Sequence, residues 1–336
     1  METAGTAGGK GGAAMRLLLI PVFLVLMSFP AATIPKPFSA EGPVAGKPWE
    51  LPLNDQVTIP MNWIPAGTFV MGSPADETGR KSDEGPQTTV TLTKGYWLGK
   101  TEVTIGQWKA VTGMDVRDKA MKLLSDTSVY SFPGGKKATI REFMGFGRDD
   151  IDKILSHEND ETPMYFVNWY EAMQFCKKLT GQERAAHRLP ADYEYTLPTE
   201  AQWEYACRAG TTGAIYGEST DTIAWYGANS YKGYTGKGLG NPSAGPHNAG
   251  SKLANQWGMQ DMLGNIWEWC YDWYGAAYSG SHVTDPTGPA TGSYKVNRGG
   301  SFGSGVYDER SAARAQNPPN EASAWRGFRI GLCAVR

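Results

Sequence analysis

Residues 298–314 read Arg-Gly-Gly-Ser-Phe-Gly-Ser-Gly-Val-Tyr-Asp-Glu-Arg-Ser-Ala-Ala-Arg, and residues 327–330 follow as Gly-Phe-Arg-Ile. No other part of the chain is so strongly patterned: paired glycines, hydroxyls on both sides of Phe302, and arginines at 298, 310, 314 and 329. Such guanidinium forks suit either recognition of a carboxylate or sulfate or internal pairing with buried acids, and internal pairing is the expectation here. Upstream, Asp261-Met-Leu-Gly-Asn-Ile-Trp-Glu268-Trp places two carboxylates, a glycine and free carbonyls in one short stretch. Hard oxygen donors so closely spaced suit Ca²⁺, although the spacing is not that of an EF-hand loop. Trp257, Trp267, Trp269 and Trp273 predict that this turn is buried, where a carboxylate needs a partner.

Working toward the N-terminus, residues 211–256 are rich in Gly, Asn and Tyr with little periodicity. They read as a long loop that a bound ion or dense aromatic packing must order. Before it, Thr199 and Gln202 form a capping box opening a helix to Arg208, stopped by Gly210. Asn168 to Leu179 carries apolar residues at amphipathic-helix spacing. Residues 114–161 are charged, with a helical patch over Asp149 to Leu155, and read as an inserted lobe or lid. Thr104 is a helix N-cap. Thr88 to Leu92 and Tyr96 to Val103 alternate as a β-hairpin or meander, and Trp63 to Met71 reads as a strand with a turn near its start.

Met15-Arg16 followed by the apolar run Leu17 to Met27 makes residues 1–32 a signal peptide or N-terminal anchor. Residues 33–60 read as an extended tether, and 61–336 as the folded domain. No later segment is apolar for about 18 residues, so no further membrane span is expected. The protein is therefore expected to be secreted, periplasmic or membrane-anchored. Lys and Arg number 32 against 34 Asp and Glu, a net charge of -2 that argues against a nucleic-acid partner. With 42 Gly and 21 Pro, long regular helices are not expected to dominate. Cys176, Cys207, Cys270 and Cys333 contain no CxxC pair, and His157, His187, His247 and His282 show no ligand spacing, which excludes a zinc knuckle and a mononuclear iron site.

The ordered blocks WIPAGTFVMGS (63–73), GYWLGKTEVTIGQW (95–108), FVNWYEAMQFC (166–176), LPTEAQWEYACRAG (197–210), DMLGNIWEWCYDWY (261–274), RGGSF (298–302) and GFRI (327–330) resemble the formylglycine-generating enzyme, or sulfatase-modifying factor, family. The resemblance implies an α+β fold similar to C-type lectins, with small twisted antiparallel sheets, two main helices and much irregular loop. It implies structural Ca²⁺ on Asp261, Gly264, Ile266 and Glu268, the middle two through backbone oxygen, and a second calcium loop beginning at Asn229 and Ser230. Active members hold copper between two cysteine thiolates and use oxygen to convert a substrate cysteine to formylglycine. Here those positions fall on Ser304 and Glu309, with Ser301 retained from the groove, so copper is not expected. The resemblance also implies that Cys207 loses its usual partner to Ser311, and that Cys176 pairs with Cys333.

Two readings follow. In the first, the chain is a non-oxidase member that binds a protein or peptide through the loops containing Gly303, Val306, Tyr307, Asp308 and Trp325, or serves a sulfatase or carbohydrate-processing system as an accessory. In the second, it is a divergent oxidase with another ligand set.

Overall fold

The computed structural model describes residues 42–131, 136–139, 141–142, 147, 151, 155, 158–230 and 245–335. The N-terminal segment 1–32 lies outside them, as does most of the helical patch at 149–155. Residues Phe38–Arg336 cluster as one compact unit. Its largest sheet is antiparallel, in the order β1 (Trp49–Pro52), β2 (Thr58–Ile64), β5 (Tyr96–Gly99), β14 (Gly331–Ala334), β8 (Tyr193–Thr196). The C-terminal strand thus lies inside the sheet, where Leu332 and Cys333 are buried. Apolar residues at consecutive positions suit a strand covered on both faces. β1 lies within the stretch expected to be a tether, because Leu51 is fully buried and gives residues 49–52 a place on the core.

A second sheet runs β12 (Arg314–Asn317), β11 (Lys295–Arg298), β9 (Trp267–Trp273), β13 (Arg326–Gly327), with β13 parallel to β9. Both patterned segments of the sequence converge here. A third runs β10 (Val283–Thr284), β4 (Thr88–Leu92), β3 (Gly67–Met71). The expected hairpin of Thr88–Leu92 with Tyr96–Val103 is therefore corrected: β4 and β5 belong to different sheets. Asp285 accepts hydrogen bonds from the Thr93 N–H and hydroxyl, which turns the chain after β4, while Trp63 opposite Trp97 pairs β5 with β2. A short pair, β6 (Tyr130–Ser131) and β7 (Lys137–Ala138), completes the described strands.

The helices start where their caps predict. α1 (Ile105–Thr112) has a Thr104/Gln107 capping box, α3 (Trp169–Ala185) an Asn168/Glu171 box, and α4 (Glu200–Arg208) a Thr199/Gln202 box. Between α1 and α3, α2 (Val116–Ser125) is capped by Asp115. Among the described residues of 114–161, Val116, Ala120, Ala138 and Ile151 are buried in the main core and Lys119 pairs with Glu171. In that core Trp108 stacks on Phe175 at 5.6 Å, and Phe328 meets both rings edge-on. Truncating Phe175 to Ala there would cost roughly 3–5 kcal/mol. A second cluster gathers Trp203, Cys207, Met262, Leu263 and Val296 beneath α4.

All four cysteines are buried and unbridged. The expected Cys176–Cys333 pairing is not made; the Cys333 thiol lies 3.8 Å from the Gln202 side-chain oxygen.

Candidate functional site

The turn before β9 is buried, as its tryptophans predict: Asp261, Ile266 and Glu268 are no more than 1 % exposed, and Gly264 is buried between them. Asp261 adopts φ 50°, and Gly264, at φ 81°, donates its N–H to the Gly299 carbonyl at 2.7 Å. A side chain at 264 would meet the Trp225 carbonyl at 2.4 Å, so only glycine fits. Ile266 packs against Phe302 and Trp325. Glu268 is fully engaged. Arg329 donates to it through Nε and Nη2, both at 2.6 Å, and the Trp203 indole N–H donates at 2.8 Å. Asp261 accepts from the Gly250 N–H through one oxygen, while its other oxygen has no partner.

The structure adds a residue to this turn. Glu102, three residues past the end of β5, is fully buried, and neither carboxylate oxygen has a hydrogen-bond partner. Burial, then the charges of Asp261 and Glu268, push its pKa well above the usual carboxylate range. Burial likewise raises Asp261 to about 6. Three buried carboxylates thus face one guanidinium, an excess of negative charge that calls for protons or a cation.

The second cluster follows β11. Ser304 accepts a hydrogen bond from the Ser301 N–H at 3.1 Å, and the two hydroxyls lie 3.0 Å apart. Glu309 is fully buried beside them, and its carboxylate oxygens have no hydrogen-bond partner of good geometry. Burial raises its pKa well above the ordinary range, although the Ser301 and Gly264 amides partly oppose the shift. Gly300, at φ 79°, roofs it: an added Cβ would stand 2.3 Å from a Glu309 oxygen. Ser301 and Ser304 therefore do come together, with the Glu309 carboxyl buried beneath Gly300 beside them.

The arginines pair internally, as expected. Arg298 binds Glu204, Arg314 clasps Glu200 at 2.6 and 2.9 Å, and Arg310 binds Glu84 and Glu77. In the 303–309 loop, Val306 and Tyr307 are 44 % and 57 % exposed, whereas Asp308 is tied to Lys81 at 2.7 Å. Trp325 sits apart from that exposed pair, half-buried on Ile266 and Phe302. Residues 231–244, which would continue the loop beginning at Asn229 and Ser230, lie outside the described residues. Asn229 accepts from the Tyr226 N–H and donates to the Ala224 carbonyl, and Ser230 donates to the Phe302 carbonyl. The Ser230 hydroxyl thus ties the loop to the segment between Ser301 and Ser304.

The described part of the long 211–256 loop is held by aromatic packing: Trp225 stacks on His247 at 3.7 Å, with Lys252 3.8 Å from the ring.

The sulfatase-modifying factor enzyme 1-like domain matches residues 51–332. The chain belongs to this family. The formylglycine-generating enzyme of Streptomyces coelicolor is 38 % identical over 79 % of this chain and 87 % of its own length. That of Mus musculus is 28 % identical over 79 % of this chain and 73 % of its own. In fold, the chain is similar to Treponema denticola variable protein 1 (TM-score 0.61, 24 % identity, covering 85 % of this chain and 98 % of that one) and to PvdO from Pseudomonas aeruginosa (TM-score 0.61, 23 % identity, 86 % and 99 %). The curled antiparallel sheets, few helices and long irregular connections are those of the formylglycine-generating-enzyme fold.

Two residues of this sulfatase-modifying-factor domain escaped the sequence reading. Glu102 was legible only as part of the strand segment Tyr96 to Val103, since nothing local shows that its carboxylate is fully buried with no partner. Trp203 was legible as a core position of α4, but its indole N–H also fixes Glu268.

Proposed function

We propose that the chain is a non-oxidase member of the formylglycine-generating-enzyme family: an exported or membrane-anchored scaffold that binds a protein or peptide, or acts as accessory to a sulfatase or carbohydrate-processing system. The donor set at 304 and 309 carries this reading. Cu(I) favours soft thiolate sulfur, whereas the groove offers two hydroxyls and a carboxyl whose pKa burial raises. These residues do not fit copper. All four cysteines are buried; the Cys207 thiol lies against the Ser311 hydroxyl at 3.6 Å and that of Cys333 against Gln202. The exposed Val306 and Tyr307 beside this groove supply a recognition surface, and the apolar run at 17–27 supports export.

Structural calcium belongs to the same reading. Glu102 and Asp261 bring hard oxygen ligands with unpartnered atoms, which suits Ca²⁺. Among the described residues no three His, Cys, Asp or Glu side chains form a ready metal group, so backbone carbonyls, those of Gly264 and Ile266 by resemblance, would complete the shell. Glu268, already held by Arg329, would act from behind by positioning that arginine on the turn.

The test is direct. Purified protein given Cu(I), oxygen and a peptide with a Cys-X-Pro-X-Arg core is expected to yield no aldehyde by mass spectrometry after hydroxylamine trapping. Stoichiometric aldehyde would overturn the reading.

A further inference from the structure

A cavity of about 420 Å³ opens between α4, β9 and the β10-β4-β3 sheet, and none of Ser301, Ser304 or Glu309 lines it. Its size falls in the range of small-molecule sites, roughly 300–1,000 Å³. The floor carries charge, but that charge is closed on itself. Arg314 spends Nε and Nη2 on Glu200 and Nη1 on the carbonyls of Asp83 and Gly275, at 2.7 and 2.9 Å. The rings of Tyr274 and Tyr278 cover its faces at 4.8 and 4.5 Å, and the Tyr278 hydroxyl donates to Glu200 at 3.1 Å. Four of the five guanidinium N–H groups are thus engaged, and the pairing with Glu200 weakens the field that would draw an anion.

What remains is an apolar wall containing Trp273 and a rim carrying the Thr284 and Thr287 side chains, both solvent-exposed. The rim is held in place. Asp285 accepts from the Thr93 N–H at 2.9 Å and from its hydroxyl, and Pro286 restricts the backbone beside it. A pocket held open before binding loses less entropy when filled. Pro286 and Thr287 also line a neighbouring cavity of about 270 Å³, so a ligand longer than one ring has somewhere to run.

An aromatic wall, hydroxyls at the mouth and neutralised charge below match a neutral ring bearing hydroxyl groups. We propose that this cavity binds one ring of a neutral saccharide against Trp273, with Thr284 and Thr287 hydrogen-bonding its hydroxyls and the remaining sugar extending past Pro286. The site is independent of the copper reading.

The full chain is titrated calorimetrically, with saturation-transfer NMR, against methyl glucoside, methyl galactoside, methyl mannoside and maltotriose. Glucuronate serves as the anionic probe and cyclohexanol as the apolar one. At least one neutral saccharide is expected to saturate, with neither control competing. Thr287→Val should weaken binding by about three- to tenfold, the loss of one neutral hydrogen bond. Ala277→Trp, at an exposed lining position, should abolish it, both variants melting as the wild type. Ser304→Ala should bind as the wild type. Binding by none of the neutral saccharides, preference for glucuronate or cyclohexanol, or unchanged affinity in the Ala277→Trp protein would each overturn the proposal.

Discussion

Arg329 clasps Glu268 through two hydrogen bonds of 2.6 Å at a place where neither side chain is more than 1 % exposed. The same guanidinium donates to the carbonyls of Gly99, Lys100, Gln260 and Asp261. One side chain near the C-terminus thus joins the end of β5 to the turn before β9. Removing it strands a buried carboxylate and several carbonyls together. Arg329→Met is expected to cost about 3–5 kcal/mol in urea denaturation. Arg329→Lys should recover little of that, because one ammonium cannot span both oxygens. A double variant with Glu268→Leu should be more stable than Arg329→Met alone; equal stability would show that the pair is not coupled.

Calcium binding at the Asp261 turn predicts a chelator effect. EDTA should lower the melting temperature of the wild type by several degrees, since a ligand bound only to the native state stabilises it. Glu102→Gln keeps the shape but removes the charge, so its melting temperature should respond little to EDTA and, without metal, should exceed that of the wild type. A wild-type melting curve indifferent to EDTA, with no metal by elemental analysis, would remove calcium from the account.

Lys295 predicts a pH dependence. Its ammonium is buried between the Trp169 and Trp273 rings, 3.9 and 4.0 Å from their centroids, and donates to the Tyr271 carbonyl at 2.8 Å. Burial lowers its pKa from 10.5 to about 8, against the opposing charge of Asp272. Between those values the unfolded chain holds a proton that the folded one has released, so this residue adds stability as pH rises through the window. Buried tyrosines and cysteines act in the opposite sense, which makes the difference between proteins the useful quantity. The stability of wild type minus that of Lys295→Met should increase from pH 8 to pH 10; a flat difference would refute the assignment.

Cys207 and Ser311 predict an engineered bridge. Their side-chain heteroatoms are 3.6 Å apart across 104 residues of sequence. Ser311→Cys should form a disulfide with Cys207 under oxidising conditions, seen by mass spectrometry of non-reduced peptides. It should stabilise the protein by about 2–4 kcal/mol. Failure to bridge would mean that the two Cβ vectors diverge.

Much of the architecture could be read locally because helix starts depend on a few adjacent atoms. Thr104 with Gln107 and Thr199 with Gln202 satisfy backbone donors within one turn, so these two caps were legible residue by residue, whereas the Asn168 and Glu171 box of α3 came from the structure. The strands were less so. Thr88–Leu92 alternates as well as any hairpin arm, yet its partners are Gly67–Met71 and Val283–Thr284, which no turn signal announces. Residues 116–125 looked like a charged excursion because polar side chains outnumber the few that anchor them, Val116 and Ala120 above all.

By itself, the sequence determined the family, the order of its motif blocks, the burial of the tryptophan-rich turn and the internal use of the arginines, since each follows from residue type and short spacing. Only the tertiary structure decided which acid each arginine holds and that Glu102 is fully buried with no partner for its carboxylate. It alone decided that Glu309 is closed beneath Gly300. Those relations join positions far apart in the chain, and electrostatics and close packing act through space.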